Sequence, residues 1–114
     1  MKHETRLEIE KEIGKRLIAS AIAKGYMVGV NDGEETVIRH SVDQAALEEA
    51  LRSTDEDYLI IYEGGEKGKR IGSIYLVYGN TGYDTICDYT ANEQIEAVVK
   101  EVETYAERME VRFG

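Results

Sequence analysis

Proline and tryptophan are absent from this chain of 114 residues, and phenylalanine and cysteine occur once each. Without proline there is no rigid linker and no Pro-rich ligand segment. The lone Cys87 cannot close an internal disulfide, so a reducing compartment is expected, with the cytoplasm as the location. Cys87 falls in an expected strand and reads as a core thiol, not as a nucleophile, because a buried thiol lacks the electropositive setting that lowers its pKa. No window approaches the roughly 18 apolar residues of a spanning helix, and no basic segment followed by an apolar run opens the chain. Neither membrane insertion nor secretion is therefore expected. Positive charge is also scarce: 14 Lys and Arg stand against 23 Asp and Glu, for a formal net charge of −9. Such a surface repels phosphate backbones, so direct nucleic-acid binding is not expected, and it attracts basic protein surfaces. The length suits a single domain over residues 1–114 that buries a core without staples.

What is present centres on residues 70–90, RIGSIYLVYGNTGYDTICDYT. Residues 71–78 and 83–90 are rich in β-branched, aromatic and aliphatic side chains. Gly79, Asn80, Thr81 and Gly82 between them tolerate the dihedrals of a tight turn, which makes the stretch a hairpin. Alternation puts Ile74 and Leu76 on one face and Ser73, Tyr75 and Val77 on the other. A strand apolar on both faces belongs inside a sheet.

Upstream, Ile13, Leu17, Ile18, Ala21 and Ile22 recur at helical spacing over residues 7–24, with Gly25 as a C-terminal cap and residues 1–6 expected to fray. Gly14 falls in the middle of that stripe and reads as a close approach of helix backbone to sheet. Two strands follow around Asn31-Asp32-Gly33, a strong hairpin signal. Ser41 and Gln44 have capping-box spacing ahead of a helix over residues 42–52, and residues 58–62 form a strand before a Gly-rich loop over residues 63–69. Thr90 and Glu93 give a second capping box for a helix over residues 91–110. Its Ile95, Val98, Val99, Val102, Ala106 and Met109 line an apolar stripe about 120° wide. The expected fold is α+β, in the order α-β-β-α-β-β-β-α. Its sheet has five mostly antiparallel strands, with the helices on one face.

Eight tyrosines are the compositional surplus. If the helices cover Leu59, Ile61, Ile74 and Leu76, the other face carries Tyr58, Ile60, Tyr62, Tyr75 and Val77. Such a face is either a solvent-facing finish or a contact for a protein partner or a second copy in a homodimer. The last helix turns Glu93, Glu96, Glu103, Glu107 and Glu110 away from its apolar stripe, relieved by Lys100. That arc is either a solvated face or a docking ridge for a basic partner. The candidate protein-binding residues are thus Tyr58, Tyr62, Tyr75, Val77, Glu96, Glu103 and Glu107. No catalytic, cofactor or metal residues are expected. His3 and His40 have no acid or nucleophile beside them, and Asp84 and Asp88 on one strand would stand more than about 10 Å apart. Asp55, Glu56 and Asp57 lack the rest of a calcium loop, and the glycines at 64, 65 and 68 lead into a strand and not into the helix a phosphate loop needs.

The blocks ASAIAKGYMVGVNDGEE, STDEDYLIIYE and YLVYGNTGYDTICDYT resemble stretches of small acidic proteins of unknown function encoded by bacteriophages and prophages, over about residues 13–99. Tyr83 stands where that family is expected to carry Trp. The resemblance implies a non-enzymatic accessory protein of a phage or mobile element that binds and inhibits a host or defence-system protein, in the manner of counter-CRISPR factors. A small cytoplasmic α+β domain that binds a metabolite is the alternative.

Overall fold

A computed structural model describes residues 2–66 and 68–114. Three helices and five strands follow the expected order: α1 (His3–Ala23), β1 (Met27–Asn31), β2 (Thr36–Ser41), α2 (Gln44–Ala50), β3 (Glu56–Tyr62), β4 (Arg70–Val77), β5 (Ile86–Tyr89) and α3 (Glu93–Phe113). The strands form one sheet in the order β2-β1-β3-β4-β5, and every neighbouring pair is antiparallel. The fold is α+β.

All three helices pack on the same face of the sheet. Alternation along β1, β3 and β4 points Val28, Val30, Leu59, Ile61, Ile74 and Leu76 to that face, and each is 0 or 1% exposed. Ile9, Ile13, Leu17 and Ile18 of α1, Leu47 of α2 and Ile95, Val98, Val99 and Val102 of α3 complete one core cluster with them. Helices α1 and α3 run antiparallel. Ser20 Oγ donates to Glu101 Oε2 at 2.7 Å, Arg16 sits over the Tyr105 ring at 4.2 Å, and Phe113 and His3 line one cleft at the far end.

Several local expectations need correction. Helix α1 starts at His3, so residues 3–6 are helical and not frayed; Met1 lies outside the described residues, as does Lys67 in the loop before β4. Gly14 does not meet the sheet: a Cβ there would lie 2.7 Å from Leu51 Cδ1, so the close approach is to the end of α2. Neither capping box forms. Asp43, not Ser41, caps α2 by accepting from Ala46 N, and Asn92, not Thr90, caps α3 by accepting from Ile95 N. In each case an Asx side chain two residues nearer the helix meets an orphan donor of the first turn. Thr90 instead receives the Ser73 N–H at 3.0 Å and holds the end of β5 to β4.

The β4–β5 turn is wider than a tight turn. It spans residues 78–85 and is closed by Val77 N donating to Thr85 O at 2.9 Å and Thr81 N donating to Asp84 Oδ1 at 3.2 Å. Asp84 is therefore a turn residue and does not share a strand face with Asp88. Cys87 is exposed rather than in the core, because β5 bulges between the pairs Tyr75↔Asp88 and Leu76↔Ile86 and leaves it without a partner.

Buried polar groups tie that turn to α1. Glu10 is 2% exposed and accepts from Gly79 N at 2.7 Å, while Arg6 Nη1 donates to Gly79 O at 3.4 Å. Asp57 is fully buried, and its Oδ2 accepts from Arg52 N at 2.7 Å and from the Tyr78 hydroxyl at 2.6 Å. Burial pushes the Asp57 carboxyl above 3.8, against the hydrogen bonds from Arg52 and Tyr78 that favour its charged form.

The core assignment predicts that Leu76→Ala costs about 2–5 kcal/mol, while Glu107→Gln on the exposed side of α3 stays within about 0.5 kcal/mol. Equal effects in urea melts would contradict the helix-facing placement of Leu76. The raised Asp57 carboxyl gives a pH signature. The folded state holds this proton longer than the unfolded chain, so stability falls as pH rises from the ordinary aspartate value through the raised one. Asp57→Asn has no such proton to lose. Urea melts from about pH 3.5 to about pH 7 should show the variant gaining on the parent as pH climbs, and a pH-independent difference would contradict desolvation of this carboxyl.

Candidate interaction surface

Among the described residues no helix covers the second face of the sheet, and the residues of that face follow from strand register. One row crosses all five strands, Thr36–Asn31–Tyr58–Tyr75–Asp88, because each is the direct partner of the next. Beside it, Gly29, Ile60 and Ser73 pair across β1, β3 and β4, and beyond them Met27 pairs with Tyr62. Val77 lies opposite Glu56 at the other end of this face.

Aromatic rings lie down on this surface. Tyr58 and Tyr75 stack with ring centroids 4.6 Å apart and planes at 19°. Tyr62 packs on His40 at 3.9 Å and 33°, and its ring covers Gly29, where a Cβ would come within 3.1 Å of it and 2.8 Å of Ile38 O. Only glycine admits that contact. His40 sits at a β2 bulge with φ 48° and donates from Nε2 to Gly68 O at 3.0 Å, so it is a structural histidine. Because the rings cover their neighbours, Tyr58, Tyr62 and Tyr75 are half-buried and Ile60 is 7% exposed.

The expected contact residues divide into two groups. Tyr58, Tyr62, Tyr75 and Val77 share the open face, with Tyr62 set apart from the stacked pair by Ile60. Glu96, Glu103 and Glu107 lie on α3. Glu96 and Glu107 are exposed, but Glu103 is half-buried and does not point squarely outward: the Tyr89 hydroxyl donates to its Oε1 at 3.5 Å. Tyr89 pairs with the core-facing Ile74, so this bond joins β5 to α3 at the edge of the sheet. The charges of Glu103, Glu96 and Asp88, with burial, raise the Tyr89 hydroxyl above 10.0. A shallow groove of about 270 Å³ opens at this junction, lined by Tyr58, Ser73, Tyr75, Asp88, Tyr89 and Thr90.

Two carboxylates of this surface escaped the sequence reading. Glu56 precedes the strand expected over residues 58–62 but opens β3, and its Oε2 accepts from the Tyr75 hydroxyl. That hydrogen bond, before burial and charge, pushes the Tyr75 hydroxyl up to about 12. Asp88 was read with Asp84 as a failed metal pair, but it faces Tyr75 across β4–β5 and receives Tyr89 N on Oδ1 at 2.9 Å. Alternation out from Tyr75 could have found both, had the width of the 78–85 turn been readable. Among the described residues, no group of three His, Cys, Asp or Glu side chains gathers to hold a metal ion, and no helix is long and apolar enough to cross a membrane.

Compared with models of protein families, with curated proteins and with solved structures, the chain matches none.

The Tyr75–Glu56 hydrogen bond is testable. A folded pKa near 12 against an ordinary 10.0 means that its stabilising effect is complete below the ordinary tyrosine value and is lost as pH rises through the folded one. In tyrosine 13Cζ titrations, Tyr75 should ionise well above 10.0, and Glu56→Gln should bring it back towards 10.0. An unmoved Tyr75 midpoint in that variant would show that Glu56 does not hold its proton.

Proposed function

We propose that the protein is a non-enzymatic binding module that lays its open, tyrosine-bearing sheet face on a larger protein and blocks or modulates it. The observation that carries this reading is one-sided packing. All three helices lie on one face of the sheet, while the other presents Tyr58, Tyr62, Tyr75 and Val77 with no helix over them among the described residues. Tyrosine supplies large contact area at small entropic cost and is enriched among the residues that dominate binding energy. The stacked pair is already held in place, by the ring of Tyr58 and by Glu56, so little freedom is left for Tyr75 to lose on contact. Strong acidity favours a partner with a basic surface. A host or defence-system protein in the host cytoplasm, bound by an accessory protein of a phage or mobile element in an anti-CRISPR-like manner, is the particular form we propose. A homodimer through the same face fits less well, because it would bring carboxylates of two copies together in a chain of net charge −9.

Capture from host lysate, followed by kinetics on the purified partner, tests the reading. Tyr75→Ala should weaken association by about 2 kcal/mol or more, mainly through a faster off-rate with little salt dependence, while the monomer stays folded. If the ridge of α3 makes the contact instead, reversal of Glu96 and Glu103 to Lys should slow association, and added salt should erase the difference. Parent-like binding by both sets of variants would remove both surfaces and leave a small-ligand function as the better account.

A further inference from the structure

We infer that the groove between the stacked tyrosines and the β5–α3 junction is the seat of an arginine side chain presented by a basic protein partner. This rests on the open face being a protein contact and names what that contact reads.

The charge pattern selects the sign of the occupant. Among the described residues the ion pairs are Arg6–Glu10, Arg16–Glu12 and Lys24–Glu101, so none of them neutralises Glu56, Asp88, Glu96 or Glu103. Glu56 accepts from the Tyr75 hydroxyl and Asp88 is the cross-strand partner of Tyr75, while Glu103 and Glu96 act on Tyr89 from the adjoining helix. A second copy of the chain would set the same carboxylates against each other, and a nucleic acid would set phosphates against them. A cationic group meets no such opposition.

The shape and donor pattern select arginine. At about 270 Å³ the groove falls below the size usual for small-molecule pockets, and it suits one long side chain. Its wall is the Tyr58–Tyr75 pair, against which a planar guanidinium can stack as an ammonium cannot. Its rim holds Asp88, one oxygen of which is taken by Tyr89 N while the other bonds to nothing among the described residues and is free to accept from the guanidinium. Ser73 and Thr90, which close the floor, hydrogen-bond each other and leave the groove polar at its base.

The experiment titrates 15N-labelled protein with three capped nonapeptides in which serine alternates with arginine, with lysine or with citrulline, the neutral analogue of arginine. The arginine peptide should shift the amides of Ser73, Tyr75, Asp88, Tyr89 and Thr90, and should bind at least about tenfold more tightly than the citrulline peptide and measurably more tightly than the lysine peptide. Asp88→Asn should weaken the arginine peptide about fivefold, whereas Glu49→Gln, the same loss of charge on α2, should not. Citrulline binding as well as arginine in the groove would overturn the inference while leaving the open face as a protein contact. Arginine-peptide shifts confined to α3 beyond Glu107, equal weakening by Asp88→Asn and Glu49→Gln, or no shift in the groove at all would also overturn it. In those cases the open-face reading is judged separately, by Tyr75→Ala against the captured partner.

Discussion

Residues Met27 to Asn31 and Tyr58 to Tyr62 are distant in sequence, and their antiparallel pairing joins the β1–β2 hairpin to the β3–β4–β5 meander in one sheet. It is the one interstrand ladder of the four without a register shift. It sets Val28 and Val30 beside Ile61 and Leu59 beneath the helices. Burying each of these side chains is worth about 1.5–3 kcal/mol, whereas each doubling of the loop that joins the strands costs only about 0.6 kcal/mol. The short α2 makes the return journey affordable in another sense too: its Leu47 joins the same core, so the connection adds to the burial it makes possible.

The same ladder determines the open face. Every side chain that β1 and β3 turn inward fixes an alternate one turned outward, so Gly29, Ile60 and Tyr58 are consequences of Val28, Val30, Leu59 and Ile61. The glycine matters here because Tyr62 lies on it, and Tyr62 in turn supports His40 at the β2 bulge. On the other side Tyr58 supports Tyr75, which reaches Glu56. Core packing and surface chemistry are therefore two readouts of one register, and a slip of one residue would exchange the tyrosines with the core.

Where the sequence carried a strong period, it was readable. The alternation of Leu59, Ile61, Ile74 and Leu76 and the helical stripes of α1 and α3 announced an α+β fold with its helices on one side. What escaped it was local and competitive. Ser41 and Thr90 had the spacing of caps, but Asp43 and Asn92 stood nearer and took the role. Gly79 to Gly82 had the composition of a tight turn, but Asp84 and Thr85 bond back to Thr81 and Gly82 and widen it, which moves the partners of β4 along β5. For that reason Tyr75 and its fellow tyrosines were legible as a face, while Asp88 and the outward turn of Cys87 were not; Glu56 escaped because β3 begins two residues before the apolar run at Tyr58. Glu10 and Asp57 were illegible for a different reason: nothing in a helix or strand pattern shows that a buried carboxylate will be met by Gly79 N, Arg52 N or Tyr78.

Both outer strands are irregular. The β1–β2 ladder shifts register twice, at Arg39–His40 and at Val37, and the β4–β5 ladder shifts at Cys87, where Asp88 folds back to occupy the amide of Tyr89. A flat strand rim with free amides and carbonyls can recruit further strands, and kinks of this kind make it a poor template. For a chain rich in β-branched and aromatic segments, this means that crowding many copies together should not extend the sheet sideways into fibrils. Association of the kind proposed above would then fall to the broad surface, where side-chain chemistry, and not backbone pairing, would choose the partner.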